Sequence, residues 1–139
     1  MPKGLSATLI TVTAGMILCN DKVLIAKRND RDASGGKWEF PGGKVKFGES
    51  PEDCLRRELM EELGISVSIR DFFDETTYVY EQGTIKLVGY LVDWIAGDMV
   101  VNVHETVCWV EIRRLGDYDF LPADGPLVDK LIADRGCDG

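Results

Sequence analysis

The chain has 139 residues, 45% of them hydrophobic, a size and composition that fit one globular domain with a single core. Its 24 acidic and 16 basic residues give a net charge of −8, which argues against binding along a nucleic-acid polymer, because that needs a basic surface. No apolar run approaches the ~20 residues that span a bilayer, so we expect no membrane segment.

The first part of the chain predicts strands that lead into a glycine-rich loop. Residues 8–19 are rich in Thr, Val and Ile, and the turn Asn20-Asp21 separates them from residues 22–28, so these two segments predict a β-hairpin. A polar, glycine-containing loop is predicted at 29–36, and a short strand at 38–40 precedes the loop Pro41-Gly42-Gly43.

A helix with well-marked ends is predicted over residues 51–63. Ser50 suits the N-cap position and Pro51 suits the first helical turn. Gly64 follows the last apolar residue and can adopt the left-handed conformation that ends a helix. Four apolar residues form a stripe along one side: Cys54, Leu55, Leu59 and Leu63.

The rest of the chain predicts further strands and one more helix. Residues 66–81 alternate loosely, and the turn Glu81-Gln82-Gly83 leads to a strand at 84–95. The remaining expected segments are 99–103 as strand or loop, 107–111 as a strand, 112–115 as a helical turn and 124–134 as a C-terminal helix. Strands interleaved with two helices predict an α/β domain in which a mixed sheet lies between helices.

Three glutamates fall within a stretch of five consecutive residues in the first predicted helix. Glu58, Glu61 and Glu62 include pairs three and four residues apart, which repel one another unless they face water or cations. The preceding glycine loop can bring a backbone carbonyl close to these carboxylates. An all-oxygen site of this kind suits a hard divalent cation, Mg²⁺ or Mn²⁺. The alternative is an acidic helix face that is simply solvated.

These residues carry a family resemblance. The run Gly43-x5-Glu49-x7-Arg57-Glu58-Leu59-x-Glu61-Glu62-x-Gly64-Ile65 resembles the Nudix box at every specified position. The segments 37–44 and 120–127 resemble the MutT branch of that family. The resemblance implies a single Nudix hydrolase domain over residues 1–139, with the α/β/α sandwich of that family.

The resemblance also implies which residues act on the substrate. Its metal ligands would be the Gly42 carbonyl and the side chains of Glu49, Glu58, Glu61 and Glu62. Arg57 would orient a glutamate through a bidentate pair.

The catalytic base is less well defined by the resemblance. MutT relatives carry a glutamate six residues before a tryptophan, but here that position is Val103. Glu105, four residues before Trp109, would take the role after a loop shift, or else Glu61 or Glu62 would. The alternative for Glu105 is a solvated loop residue. His104 is expected to be structural or exposed on a loop.

Four residues are candidates for binding the substrate. Arg28 matches the position of a phosphate-contacting arginine in MutT-like proteins, although it also fits a solvated strand end. Lys44 follows the glycine loop and is a further candidate to meet phosphate. Tyr80 can stack on a base, whereas alternate aromatics in a strand more often pack together. Asp124 matches the residue that contacts the base edge, and it also stands where the last helix begins, so helix capping is its alternative role.

The expected function is Mg²⁺-dependent hydrolysis of nucleoside triphosphates to monophosphate and pyrophosphate, with oxidised purines such as 8-oxo-dGTP as substrates. Alternatives are a cytidine nucleotide or broad-range pyrophosphohydrolase, an enzyme for another nucleoside-diphosphate-linked substrate, or a Nudix domain that only binds a nucleotide. We expect a monomer or homodimer. Unpaired cysteine spacing and the lack of a secretory signal predict a reducing, cytoplasmic setting.

Overall fold

The structure is a computed structural model that describes residues 8–29, 35–81 and 83–136. The described helices and strands, in chain order, are β1 Thr8–Cys19, β2 Lys22–Lys27, β3 Trp38–Glu39, α1 Pro51–Leu63, β4 Ser66–Tyr80, β5 Gly83–Ala96, β6 Thr106–Glu111 and α2 Gly125–Arg135. Short 3-10 segments occupy Ile112–Asp117 and Pro122–Asp124. Part of the predicted loop 29–36, Gln82 of the predicted turn and Cys137 lie outside the described residues.

The strands form one mixed sheet in the order β3-β2-β1-β5-β4, with β6 along the other side of β2. Strands β1 and β5 run parallel over ten residue pairs, and the remaining neighbours are antiparallel. The predicted hairpin is present, but β1 and β2 pair only beside the turn, at Leu18 with Val23 and Cys19 with Lys22. The rest of β1 is thereby free to pair with β5.

Helices cover both faces of this sheet because the strands alternate apolar side chains between the faces. On one face, Leu55, Leu59 and Leu63 of α1 are fully buried against Ile17 of β1 and Val92 of β5. On the other face, a second buried cluster joins α2 to the sheet through Met16, Leu91, Leu127, Val128 and Leu131. The predicted α/β/α sandwich is therefore confirmed.

Helix α1 begins and ends where the sequence predicts. The Ser50 hydroxyl accepts a hydrogen bond from the Asp53 amide at 3.1 Å, and Pro51 occupies the first turn. Gly64 has φ of 71°, and its amide donates to the Met60 carbonyl at 3.0 Å. Local capping chemistry thus fixes both ends of the helix.

The segment before β6 is a loop rather than a strand, and it closes the C-terminal end of α1. The Val100 amide donates to the Leu63 carbonyl at 2.9 Å, and the Asn102 amide donates to the Glu62 carbonyl at 3.1 Å. The Asn102 side chain also donates to the Glu61 carbonyl at 3.1 Å. These bonds satisfy carbonyls that a helix end leaves unpaired.

The last part of the chain follows the predictions closely. Strand β6 starts one residue before the predicted strand, and the helical turn predicted at 112–115 is the 3-10 segment Ile112–Asp117. Helix α2 is displaced by one residue from the predicted helix. Among the described residues, no helix is long and apolar enough to cross a membrane.

Candidate functional site

The loop after β3 is fixed to β1 by backbone hydrogen bonds. The Thr13 amide donates to the Gly43 carbonyl at 2.8 Å, and the Gly15 amide donates to the Pro41 carbonyl at 2.7 Å. A Cβ on Gly42 would lie 2.0 Å from the Thr13 carbonyl oxygen, so a side chain there would collide with backbone. Glycine therefore permits this close approach, which holds the loop beside helix α1.

Arg57 is the centre of the acidic cluster on α1. Its Nε and Nη2 donate to Oε2 and Oε1 of Glu49 at 2.7 and 3.0 Å, which is the bidentate pair predicted from the sequence. Its Nη1 donates to Glu58 at 2.9 Å and to Glu61 at 3.2 Å. The Arg57 guanidinium, helped by the Lys46 amide, lowers the pKa of Glu49 to about 2.

Glu58 and Glu62 bring two carboxylates to the glycine loop. The Glu58 carboxylate packs directly on Gly43, where a Cβ would lie 2.3 Å from Glu58 Cδ. Oε1 of Glu62 is buried without a hydrogen-bond partner in the part of the chain that the structure describes. Burial, the Glu58 carboxylate and the charge of Glu39 hold the pKa of Glu62 well above its usual range, and a bond from the Gly42 backbone partly opposes them.

The chemistry of this donor set fits a divalent cation. Carboxylate and carbonyl oxygens are the ligands that hard cations prefer, and the unpartnered oxygen of Glu62 would gain most from one. Within the described ranges, three or more His, Cys, Asp or Glu side chains are nowhere grouped as a ready metal cage. Arg57 instead engages Glu49, Glu58 and Glu61.

A cavity of about 360 Å³ adjoins the glycine loop. Its polar lining comes from distant parts of the chain: Thr13, Arg28, Glu39, Lys44, Glu62, Tyr80, His104 and Asp124. The four predicted substrate-binding residues thus share one cavity. Of the predicted metal ligands, Gly42 and Glu62 line it, whereas Glu49, Glu58 and Glu61 do not. A larger open depression, of about 630 Å³, surrounds the β1–β2 turn and is lined by no glutamate.

Asp124 is a buried acid inside this cavity. Only 4% of its surface is exposed, and its Oδ2 accepts a hydrogen bond from the Phe40 amide at 3.0 Å. Its side chain makes no capping bond to α2, so the capping alternative is wrong. Burial raises the pKa of Asp124 to about 8; the charge of Glu39 adds to this, while the Phe40 amide and Arg28 oppose it.

Tyr80 packs against a neighbouring aromatic residue and also lines the cavity, and base stacking stays a prediction. It lines the cavity, and its ring also packs edge-on against Tyr78 with centroids 4.6 Å apart. Burial raises the pKa of the Tyr80 hydroxyl, so the hydroxyl stays protonated as a hydrogen-bond donor.

Glu39 is the cavity residue that sequence reasoning missed. Its Oε1 accepts from Arg28 Nη1 at 3.1 Å, and its Oε2 lies 2.7 Å from His104 Nε2. Its charge influences both Glu62 and Asp124. A signal was present in the sequence, because Glu39 is an acidic residue in a short strand directly before the glycine loop. Arg28 is therefore bound within the cavity wall and is not a solvated strand end.

The structure separates His104 from Glu105. The His104 side chain is only 5% exposed and lines the cavity, so the prediction of an exposed loop histidine is wrong and that of a structural one stands. Glu105 does not line the cavity, and its carboxylate lies 3.8 Å from Lys27 Nζ at the surface. The ion pair with Lys27 holds the Glu105 carboxylate at the surface. Glu105 thus lies outside the cavity that Glu62 lines.

Comparisons with known proteins give one family match and several similar proteins. Residues 9–131 match the NUDIX domain. The chain is 33% identical over 112 residues to the 8-oxo-dGTP diphosphatase of Escherichia coli, covering 81% of this chain and 87% of that protein. It is 32% identical over 127 residues to the CTP pyrophosphohydrolase of the same organism, covering 91% of this chain and 94% of that protein.

A similar fold has been solved for the Escherichia coli ORF135 protein. That solution structure superposes with a TM-score of 0.85 at 32% sequence identity and covers 97% of this chain and 96% of that chain. The likeness therefore extends over the whole sandwich and is not confined to the acidic helix.

Proposed function

The chain belongs to the Nudix family of hydrolases, and from this premise we propose that it hydrolyses nucleoside triphosphates to the monophosphate and pyrophosphate. Its preferred substrate in this proposal is an oxidised purine nucleotide such as 8-oxo-dGTP. The water oxygen bonds to phosphorus and gives up a proton to an acceptor of the site, the anhydride P–O bond between the α- and β-phosphates breaks, and monophosphate and pyrophosphate are released.

One observation carries the proposal. A single cavity of about 360 Å³ joins the unpartnered oxygen of Glu62 to the buried carboxyl of Asp124. The first group belongs to an acidic, cation-binding end, and the second can form hydrogen bonds with a base. The basic side chains of Arg28 and Lys44 line the same cavity and complement a polyphosphate. A nucleotide needs these three kinds of contact together.

Nudix hydrolases generally use a divalent cation, and we propose Mg²⁺ or Mn²⁺ for this chain. Glu58 and Glu62 would hold it, with the Gly42 carbonyl and with Glu49 and Glu61 at the edge. When bound, the cation neutralises phosphate charge and lowers the pKa of water.

The chain's own residues supply the remaining functions of the site. Arg57 orients Glu49 and Glu58, and Arg28 and Lys44 attract the phosphates. A bound cation would favour the ionised form of Glu62. In that form Glu62 is the proton acceptor that we favour over Glu61 and Glu105, because it is the one of the three that lines the cavity.

Asp124 provides a physical basis for choosing an oxidised purine. With its pKa near 8, it is protonated at neutral pH and offers one O–H donor beside an acceptor. In 8-oxoguanine, the O6 acceptor stands next to an N7–H donor, whereas guanine has two acceptors there. A neutral Asp124 therefore matches the oxidised base and leaves an unsatisfied contact with the ordinary one. Tyr80 is the candidate to pack against the base.

Cytidine nucleotides are the second candidate because cytosine also shows a donor beside an acceptor, at N4 and N3. The similarity to a CTP pyrophosphohydrolase over most of both chains favours this alternative. Release of pyrophosphate with Mg²⁺ from dGTP, 8-oxo-dGTP, CTP, dCTP, ADP-ribose and a dinucleoside tetraphosphate distinguishes the candidates. We expect 8-oxo-dGTP to lead. If CTP or dCTP leads instead, the second candidate replaces the first, and absence of turnover across the panel would refute the proposed function.

A further inference from the structure

The imidazole of His104 is held in one orientation by Glu39. His104 Nε2 lies 2.7 Å from Glu39 Oε2, and an ionised carboxylate only accepts hydrogen bonds, so the proton of this bond belongs to Nε2. A ring nitrogen fixed in this way determines the tautomer of the whole ring. Arg28 binds the other oxygen of Glu39 at 3.1 Å, which stops the carboxylate from rotating. The ring is therefore positioned from two sides.

The second ring nitrogen is left to interact elsewhere. His104 Nδ1 is buried and has no hydrogen-bond partner among the residues in the described ranges. A buried polar atom without a partner is costly for the folded state, and such atoms usually have an explanation in binding or catalysis. Since Nε2 is taken by Glu39, Nδ1 is a bare acceptor in the neutral ring and a second N–H donor in the charged ring.

The position of the ring points to the ligand. His104 lines the same cavity as Glu62 and Asp124, the two ends that the proposed function assigns to phosphate chemistry and base recognition. Its side chain is 95% buried by protein (5% exposed), so bulk water is a poor partner for it. A molecule that fills the cavity can supply one.

We propose that His104 is a substrate-binding residue whose Nδ1 forms a hydrogen bond with the bound nucleotide, and that Glu39 is the positioning residue that orients it. This inference rests on the proposed function, because the nucleotide is the ligand that fills the cavity. It assigns a role to the histidine and to a carboxylate outside the acidic helix. Neither residue belongs to the cluster centred on Arg57.

Nitrogen NMR can test the contact directly, because His104 is the one histidine of the sequence. Tag-free protein labelled with ¹⁵N-histidine gives one pair of ring signals, so Nδ1 and Nε2 are assigned without ambiguity. The probes are 8-oxo-dGMP and CMP, which are reaction products and cannot turn over. We expect saturating nucleotide to shift the Nδ1 signal strongly and the Nε2 signal, still bound to Glu39, much less.

The contrary outcome is also defined. If saturating nucleotide moves the backbone amide of Phe40, which is bound to Asp124 and is read in a uniformly ¹⁵N-labelled sample, but leaves Nδ1 unchanged, the contact does not form and the inference is overturned. Turnover of nucleoside triphosphates by the unmodified protein then still supports the proposed function. If the unmodified protein hydrolyses none of them, the proposed function fails first and the inference falls with it.

Variants provide a second test that separates binding from folding. His104→Phe keeps the ring volume but removes both nitrogens, and His104→Gln restores a polar group. We expect His104→Phe to raise KM about tenfold, the worth of one lost hydrogen bond, with a smaller change in kcat and partial recovery in His104→Gln. Glu39→Gln should raise KM in the same direction. Arg70→Gln, which breaks a surface pair with Asp93, is the control.

A KM unchanged in His104→Phe, together with a lower thermal midpoint and a proportionate fall in kcat, would show that the ring acts only in folding and would overturn the inference.

Discussion

Replacing Asp124 with asparagine should stabilise the protein, and the gain should grow with pH. The side chain is almost fully buried, and its pKa rises from 3.8 to about 8 on folding. Below pH 4 both the folded and unfolded chains hold the proton. Between pH 4 and 8 the folded chain keeps a proton that the unfolded chain has lost, so stability falls as pH rises. Above pH 8 the difference is constant.

The size of the effect follows from the same pKa. A rise in the pKa of Asp124 from 3.8 to about 8 corresponds to a loss of about 6 kcal/mol at most in the free energy of unfolding. Relaxation of the site reduces this cost, so we expect the variant to be about 2–3 kcal/mol more stable. Asparagine avoids the cost because it stays neutral and its Oδ1 can still accept from the Phe40 amide. Urea unfolding of both proteins from pH 5 to pH 9 measures the difference. A constant difference, or a native protein that gains on the variant as pH rises, would refute the reasoning.

The remaining predictions concern activity around the acidic helix. Glu58→Gln and Glu62→Gln should each lower kcat about 100-fold or more while retaining the fold, and should abolish the rise in thermal midpoint caused by Mg²⁺; unchanged turnover in both would contradict the metal assignment. Arg57→Lys, which cannot form a bidentate pair, should cost about 10–100-fold in activity or Mg²⁺ affinity, read from a Mg²⁺ titration of initial rates. Gly43→Ala should displace the Glu58 carboxylate and reduce turnover sharply, whereas Gly116→Ala, in open space, should not; equal effects would remove the case for close packing.

The helix and its ends could be predicted from the sequence because their causes are local. Ser50, Pro51 and Gly64 act within a few residues of themselves, and the helix they predict is the one observed. The predicted hairpin is present but pairs only beside its turn, because β5, whose residues lie 75 positions further along the chain than their partners, pairs with most of β1. Strand neighbours of that separation depend on tertiary packing.

The cavity was harder to predict than the helix for the same reason. Asp124 accepts a hydrogen bond from the Phe40 amide, 84 positions earlier in the chain, which the local sequence does not show. Its place at the start of α2 suggested instead a capping role that it does not have. Glu39 connects Arg28 with His104, which lies 65 positions away. His104 and Glu105 are neighbours in the bend before β6, and the sequence alone did not show that only the first of them lines the cavity. The sequence motif identified several residues of the site but not the residues that each of them contacts.

The loop that closes the C-terminal end of α1 has a consequence for how the enzyme can be changed. Its bonds to the carbonyls of Leu63 and Glu62 come from backbone amides, which every residue except proline provides. Side chains at Val100, Val101 and Val103 can therefore be exchanged without releasing the helix that carries the glutamates. A library at Val103, which lines the cavity beside His104, would sample altered substrate range while the hydrolytic machinery stays assembled. In this one short segment, backbone hydrogen bonds hold the helix that carries the glutamates, whereas side chains are the part that can change selectivity.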